Sequence, residues 1–395
     1  MSYHPPKRTT WHPTSAINPD FLLQDLEREV ETLSTNATVH PSSTFCLRNF
    51  SPIASYSWFE GTSPFIAVPG YPRIWSNAPS RVPADSGLHF VDGHGAHMGH
   101  QSPLLPMFAA IDTLHDNFPY QNLDLVTDRN SLRKLLRCID QQRDRAFRID
   151  VDLVGKTCLF TRREKFLMET INGFSGYGHE YEKAATKSRR GSEGEVSHHR
   201  VVTYDFGGLQ MLLRYKVDAC TESESEDNFL ASFSALNIGG QAKSPASQPD
   251  SYSHYTNRFG IKVKLTYPRS VVPQSRVIEI KTRSSRNALN WKEAYPQLYL
   301  SQTPYLYLAR HTDGKFGSVE KIDINDPAMA SYAKRAKDAM RKLQLLLVSI
   351  LTAVRKQGEG KPLSLVYYGG KLKLYKRREG TGKPIEVEIS RKFCR

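Results

Sequence analysis

Cysteine is scarce in this 395-residue chain, which has five in all: Cys46, Cys138, Cys158, Cys220 and Cys394. The number is odd, no two lie close in sequence, and there is no CxxC. No disulfide framework can be read from this spacing, and a reducing compartment fits it best. Long apolar runs are missing too. The longest, Leu343 to Val354, is interrupted by Gln344, Ser349 and Thr352 and is too short to span a bilayer. Met1 to Arg8 are polar and lack the apolar centre of a signal peptide. A secreted or membrane-spanning protein is disfavoured, and an intracellular one without a membrane partner is expected. Acid is in deficit: 40 Asp and Glu face 54 Lys and Arg, a net charge of +14. Such a balance favours polyanionic partners, nucleic acid first. No internal repeat is present, and nothing in the pattern sets an oligomeric state.

What is there suffices for a large core, since 39% of the residues are hydrophobic and 24% charged. Residues 1–44 read as an N-terminal tail. Within it Leu22, Leu26, Val30 and Leu33 share one face of a short amphipathic helix. Lys183–His199 and Thr221–Tyr267 read as flexible surface insertions near 183–199 and 221–267. Alternation marks a half-buried strand at Phe147–Leu153, and Gly155-Lys156 turns into a second strand at Thr157–Thr161. Val201–Phe206, Gly207-Gly208 and Leu209–Asp218 carry the pattern of a hairpin. Further strands are expected at Arg276–Thr282, Tyr305–Ala309, Leu363–Tyr368 and Lys371–Arg377. A helix is expected over 287–301, and a long one from Asp326-Pro327 to Gln357, closed by Gly358. Strands and helices intermingle with no second core. The fold class is therefore a mixed α/β single domain over 45–395, with central mixed sheets flanked by helices.

Side chains alternate along Leu209–Asp218, so Arg214, Lys216 and Asp218 share a face; on Arg276–Thr282, Glu279 and Lys281 share one. If the two strands pair, Asp218, Glu279 and Lys281 converge. A carboxylate beside a carboxylate-x-lysine suits a hard divalent cation acting on a phosphate, with the lysine orienting water or stabilising charge at phosphorus. This D…E-x-K pattern is the signature of a large metal-dependent nuclease superfamily, although E-x-K also falls by chance on ion-paired surface strands. Gly176-Tyr-Gly-His-Glu-Tyr-Glu182 opens a helix that can bring another carboxylate. Val126–Leu136 carries Arg129 into a helix start, where it can grip a phosphate. Asn290–Pro304 is a helix bearing Gln297.

Taken in order, these pieces resemble the DXO family of eukaryotic RNA 5′-end decapping nucleases. The stretches that match are Val126–Leu136 with Arg129, Gly178–Glu182, Lys216-Val-Asp218-Ala, Glu279-Ile-Lys281-Thr282, and Trp291–Gln297 followed by Tyr305–Arg310 and Asp313-Gly314. The resemblance covers residues 45 to 380. It implies a mixed β core with helices around it and a divalent-metal site for Mg²⁺ or Mn²⁺, held by Glu182, Asp218, Glu279 and the carbonyl of Ile280. Lys281 and Gln297 would position water and the scissile phosphate, and Arg129 the RNA backbone or 5′ phosphate. The implied activity is hydrolysis at RNA 5′ ends: removal of incomplete or dinucleotide caps, pyrophosphate release and 5′-to-3′ exonuclease action in mRNA quality control. One departure stands at the centre. The family's first acid of E-x-D is Lys216 here. Asp128 and Asn130 also replace the tryptophan and glycine that flank the family's arginine. A cation in place of an anion costs metal affinity several kcal/mol in a medium of ε about 20. The competing reading is a catalytically impaired RNA- or partner-binding protein on the same fold, such as one that activates a 5′-to-3′ exonuclease partner; a weaker one is a DNA nuclease. Glu180 and Glu222 are the acids available to stand in at Lys216's place.

Other signals are less specific. His94, His97 and His100, among glycines, read as a solvated loop rather than a zinc site. Lys334, Arg335, Lys337, Arg341 and Lys342 give the long helix a basic first half, either an RNA channel wall or a solvated face. Lys187–Arg190 and Lys376–Arg378 are short basic runs that, with the resemblance, favour the nucleus over the cytoplasm.

Overall fold

The strand pairs expected from alternation are present, and they lengthen into two mixed sheets that meet at one seam. The structure, a computed structural model, describes residues 19–36, 45–142, 145–171, 176–222, 254–383 and 385–394. In the larger sheet the order runs Leu26–Leu33, Lys371–Arg377, Leu363–Tyr368, Phe147–Val154, Thr157–Arg163, Leu125–Asp128, Leu209–Val217, Glu195–Phe206, Leu47–Phe59, Phe65–Val68, Ile261–Leu265, Tyr255–Arg258. The smaller sheet is ordered Thr186–Lys187, Ile74–Trp75, Ala219–Cys220, Val277–Ser284, Tyr305–Thr312, Lys315–Asp323. One chain segment belongs to both: the strand Leu209–Val217 ends, Asp218 makes the crossing, and Ala219 pairs with Ile278 of the second sheet. This is the mixed α/β class read from the sequence.

Helices cover the larger sheet on both faces. The helix Ala330–Gln357 lays Met340, Leu343, Leu347, Ile350 and Val354 against Met211, Leu213 and Ile149. These positions recur at helical spacing, and each fully buried aliphatic side chain is worth about 1.5–3 kcal/mol. The end signals read from sequence hold in modified form. Asp326 Oδ1 accepts from the Ala328 N–H at 2.8 Å and Pro327 opens a 3-10 turn before the α-helix proper begins at Ala330. On the other face the helix Leu105–Leu114 packs on Tyr56, Trp58, Val201 and Leu212. Phe147–Val154 is consequently buried on both faces rather than half-buried. Its Arg148 and Asp150 pair with each other at 2.7 Å, and Arg377 joins them, 2.9 Å from Asp150.

Four expectations are corrected. The tail helix through Leu33 is one turn, Pro19–Leu23, broken by Asp25 at φ +60°. Leu26–Leu33 is then a strand paired with Lys371–Arg377, so it is part of the sheet and not of a tail. The backbone ladder to Lys371–Arg377 overrides the helical spacing of four apolar residues, with Glu29–Lys373 at 2.5 Å and Glu27–Lys376 at 3.2 Å as exposed ion pairs across it. Lys183–His199 is not an insertion either: Thr186–Lys187 pairs with Ile74–Trp75, and Glu195–His199 begins the long strand next to Leu47–Phe59. Of the second insertion, 223–253 lie outside the described residues, while Tyr255–Arg258 and Ile261–Leu265 form a hairpin on the sheet edge. In the run Lys376–Arg378 the central Arg377 is buried between Asp150 and Asp152, while Arg378 is exposed.

Candidate active site

The seam between the two sheets gathers residues from five separate segments. Arg129 opens the helix Arg129–Ile139, directly after the strand Leu125–Asp128 that runs parallel to Leu209–Val217. Glu182 lies on the helix Gly178–Ala185. That helix is anchored by Tyr181, buried against Phe316 with ring centroids 4.3 Å apart, and its Glu180 N–H donates to Asp85 Oδ1 at 2.9 Å. Nearby, Gly314 gives Tyr177 its seat: at φ +77° in the Asp313-Gly314 turn, a Cβ there would lie 2.6 Å from the tyrosine ring. Lys216 and Asp218 come from the crossing segment, Glu279 and Lys281 from Val277–Ser284, and Gln297 from the buried face of Trp291–Ser301.

The expected convergence occurs, and its hydrogen bonds divide it into two halves. In the first, the Lys216 ammonium donates to Glu182 Oε1 at 2.8 Å and Oε2 at 3.2 Å, and it stands 3.4 Å from Asp218 Oδ1. The other Asp218 oxygen accepts from the Ile280 N–H at 3.0 Å. In the second half, Glu279 is nearly closed off from solvent, 4% exposed. Its Oε1 accepts from both Lys281 and Gln297, and its Oε2 from Arg129 at 3.3 Å. Arg129 also donates to Ser301 Oγ at 3.0 Å and lies over the Tyr215 ring at 5.2 Å. It is buried, and it holds Glu279 directly.

Each charge answers to these neighbours. Burial alone would lower Lys216; Glu182 and Asp218 more than offset this and raise it well above the lysine norm. Asp218 is raised, first by burial and then by Glu279 and Glu182, despite two nearby lysines. Glu279 is lowered well below the carboxylate range because Lys281 and Arg129 outweigh its desolvation. Among the described residues no three His, Cys, Asp or Glu side chains are gathered as a metal-holding group. The reason is visible in the bonding: Lys216 occupies two of the carboxylates, and Arg129, Lys281 and Gln297 occupy the third. Neither alternative acid comes to Lys216. Glu222 pairs with Lys187 at 2.7 Å, and Glu182 itself, not Glu180, is the partner.

The seam opens into a cleft of about 760 Å³ whose walls include Trp58, Phe90, His97, Arg162, Glu182 and Lys216. Behind it stands a buried polar brace. Arg214 grips Asp128 with two bonds, 2.7 and 3.0 Å, and also donates to Tyr56 Oη and the Pro103 carbonyl. Arg162 reaches Asp92 at 3.3 Å, and Asp92 caps the helix Gly93–Met98. The histidine-rich stretch is therefore not a solvated loop. His94 is buried, its Nδ1 accepts from the Trp58 indole at 3.2 Å, and His97 stacks on Trp58 at 4.2 Å. Burial, then Arg214, holds His94 neutral; burial, then His94 and Arg214, does the same for His199. Truncating Arg214 to Met leaves Asp128 buried and short of its partner. We expect a stability loss of about 3–5 kcal/mol, read from the chemical denaturation midpoint. A loss under about 1 kcal/mol would show that Arg162 alone suffices for Asp128.

Sequence reading missed His199, Arg214, Ser301 and Tyr215 as parts of this site. The signal for two of them was present. Arg214 shares the face of Lys216 and Asp218, and counting back from the Gly207-Gly208 turn sets His199 opposite Lys216, as the ladder shows.

Comparison with known proteins places the chain by family and by fold. The profile of the family described as Domain of unknown function (DUF8563) matches residues 29–372. The chain belongs to the DUF8563 family. Searching curated protein sequences finds no match. Among solved structures this DUF8563 chain is similar to Rai1 of S. pombe at a TM-score of 0.59 and 13% identity, covering 88% of this chain and 99% of that one. It is similar to Scheffersomyces stipitis Rai1 in complex with (3′-NADP)+ and calcium ion, at 0.56 and 11%, covering 92% and 97%. It is also similar to Candida albicans Rai1 in complex with pU5-Mn2+, at 0.54 and 12%, covering 92% and 98%. Identities this low establish a shared fold, and that fold is the one the DXO resemblance implied.

Proposed function

We propose that this protein binds the 5′ end of RNA in the seam cleft and hydrolyses a phosphate linkage there with one divalent cation. The observation that carries the proposal is the convergence of Arg129, Glu182, Asp218, Glu279, Lys281 and Gln297, from five segments, at the crossing between two sheets. Support comes from the shared Rai1 fold, whose solved members include complexes with pU5-Mn2+ and with (3′-NADP)+ and calcium ion. A cleft of about 760 Å³ also suits a nucleotide-sized ligand.

The donor chemistry fits Mg²⁺ or Mn²⁺. Three carboxylates and a backbone carbonyl are hard oxygen ligands, and Glu182, Asp218, Glu279 and Ile280 would supply them. Glu279 and Glu182 both repel the Asp218 carboxylate, and a cation among the three would relieve that repulsion. When bound, the cation supplies Lewis-acid charge at the phosphate. The chain's own residues do the rest. Gln297 and Arg129 fix the Glu279 carboxylate in one orientation. Lys281, about a third exposed, presents its ammonium to the incoming phosphate while paired with Glu279. Lys216 competes for Glu182 and Asp218. Its side chain is 41% exposed and able to turn outward, so it weakens metal binding without forbidding it.

A specific observation also supports a second reading. The Lys216 ammonium already bridges two carboxylates, and an RNA- or partner-binding protein without turnover would result if it never leaves them. An assay of purified protein on 5′-triphosphate, 5′-monophosphate, unmethylated-cap and dinucleotide-capped RNAs separates the two. Release of the 5′ end with Mg²⁺ or Mn²⁺, absent with chelator, is the expected result. RNA binding without turnover under either metal would establish the second reading instead. The cap preference, exonuclease action, a role in mRNA quality control and residence in the nucleus belong to the same proposal, and the substrate panel with localisation of a tagged chain tests them.

A further inference from the structure

A second groove, of about 540 Å³, lies between the helices Arg129–Ile139, Trp291–Ser301 and Ala330–Gln357. Trp291 and Tyr332 meet on its wall with ring centroids 5.2 Å apart. Its lining is basic on balance, five cations against Asp140, Glu293 and Asp338. Arg137 and Lys292 are already spoken for by Glu293 at 3.4 Å and Asp140 at 3.2 Å. Arg335 and Lys342 are exposed on the first half of the long helix, without an ion-pair partner among the described residues.

Arg133 links this groove to the seam, because its side chain lines both cavities. It is partly buried and makes no hydrogen bond to another described residue. Burial, then repulsion from Arg129 and Arg137, pulls its guanidinium down to about 10. An anion placed there would meet a planar, five-donor guanidinium that Arg129 and Arg137 already crowd with positive charge. A basic groove with aromatic rings, sharing Arg133 with the cleft proposed for a phosphorylated end, is the arrangement that tracks single-stranded nucleic acid.

We propose that this groove carries the RNA chain that follows the 5′ end, with phosphates on Arg133, Arg335 and Lys342 and a base against Trp291. The proposal rests on the 5′-end reading of the seam, and the occupant it commits to is the RNA backbone. Arg335→Glu with Lys342→Glu tests it, since both side chains are exposed and neither touches the seam. The probes are a fluorescent 5′-monophosphorylated uridine dinucleotide and the matching octanucleotide, titrated by anisotropy between about 50 and 200 mM salt. For wild type, the octanucleotide is expected to bind about tenfold tighter than the dinucleotide. The double variant is expected to lose that gain and to show a salt slope shallower by about 1.4, two single-strand phosphate contacts. Dinucleotide affinity should stay within about twofold of wild type. An octanucleotide that binds the variant as it binds wild type overturns the groove while leaving the seam reading intact, as does equal binding of both probes to wild type. Equal loss on both probes also overturns it. Displacement of the octanucleotide by poly-glutamate as readily as by unlabelled RNA would assign the groove to an acidic protein instead. If wild type binds neither probe, the seam reading fails and the groove with it.

Discussion

Glu279→Gln is expected to slow 5′-end hydrolysis by about 100-fold or more while RNA binding tightens about threefold or more. The two effects have one cause. Glu279 is the buried carboxylate on which Arg129, Lys281 and Gln297 all converge. An amide keeps the shape of the side chain but removes the negative charge that both orders these donors and would hold a cation. Turnover then falls. The same change leaves Arg129 without its anionic partner at a cleft that already presents Lys216 and Arg162, so a phosphate is held more firmly. Single-turnover hydrolysis and anisotropy, measured on one preparation, read the two effects separately. A melting curve checks that the unpaired guanidinium has not unfolded the protein. Hydrolysis at the wild-type rate in this variant would show that the chemistry lies elsewhere. If wild type itself proves inactive, tighter binding alone is the expected outcome.

Lys216→Glu is expected to strengthen Mn²⁺ binding about tenfold or more and to raise metal-dependent hydrolysis with it. In the native chain the ammonium sits 2.8 Å from Glu182 and 3.4 Å from Asp218, between two carboxylates proposed to hold the cation. Two unit charges about 4 Å apart interact by about 4 kcal/mol at an effective ε of 20. Replacing a cation by an anion beside a divalent ion reverses the sign of a term of that size. Because Lys216 is 41% exposed, solvent screens much of it, and a factor of about ten is the part that should survive. The cost appears without metal. Three carboxylates would then face one another, so the variant should melt earlier than wild type in chelator and recover on adding Mn²⁺ by mass action. Isothermal titration with Mn²⁺, together with paired melts, gives both readings. Unchanged Mn²⁺ affinity in Lys216→Glu would mean that Lys216 does not stand at the cation's position. Lys216→Gln should fall between the two.

Much of the fold follows from local pattern. The hairpin at Gly207-Gly208, the strands at Leu363–Tyr368 and Lys371–Arg377, and the helix closed by Gly358 stand where turn chemistry and periodicity put them. These signals are local because each depends on residues within a turn or two of one another. Leu26–Leu33 shows the limit. Its apolar spacing reads as helix, and only the distant partner strand Lys371–Arg377 supplies the backbone ladder that makes it a strand. The same holds for Thr186–Lys187 and Glu195–His199, whose polar sequences resemble loops until Ile74–Trp75 and Leu47–Phe59 take up their backbone bonds.

Residue type and order along the chain were enough to nominate Glu182, Asp218, Glu279, Lys281 and Gln297 as candidates for the chemistry, with Lys216 as the cation among them. The sequence also determined that Asp218 and Lys216 share a face, since alternation along a strand needs no partner. What those charges do is set by long-range packing. Whether Lys216 points to solvent or clasps Glu182 depends on where a helix some thirty residues earlier packs. Whether Arg129 greets a phosphate or braces Glu279 depends on a strand far along the chain. Charges act through distance and local dielectric, and both are set by how the two sheets meet at Asp218 rather than by any stretch of neighbouring residues.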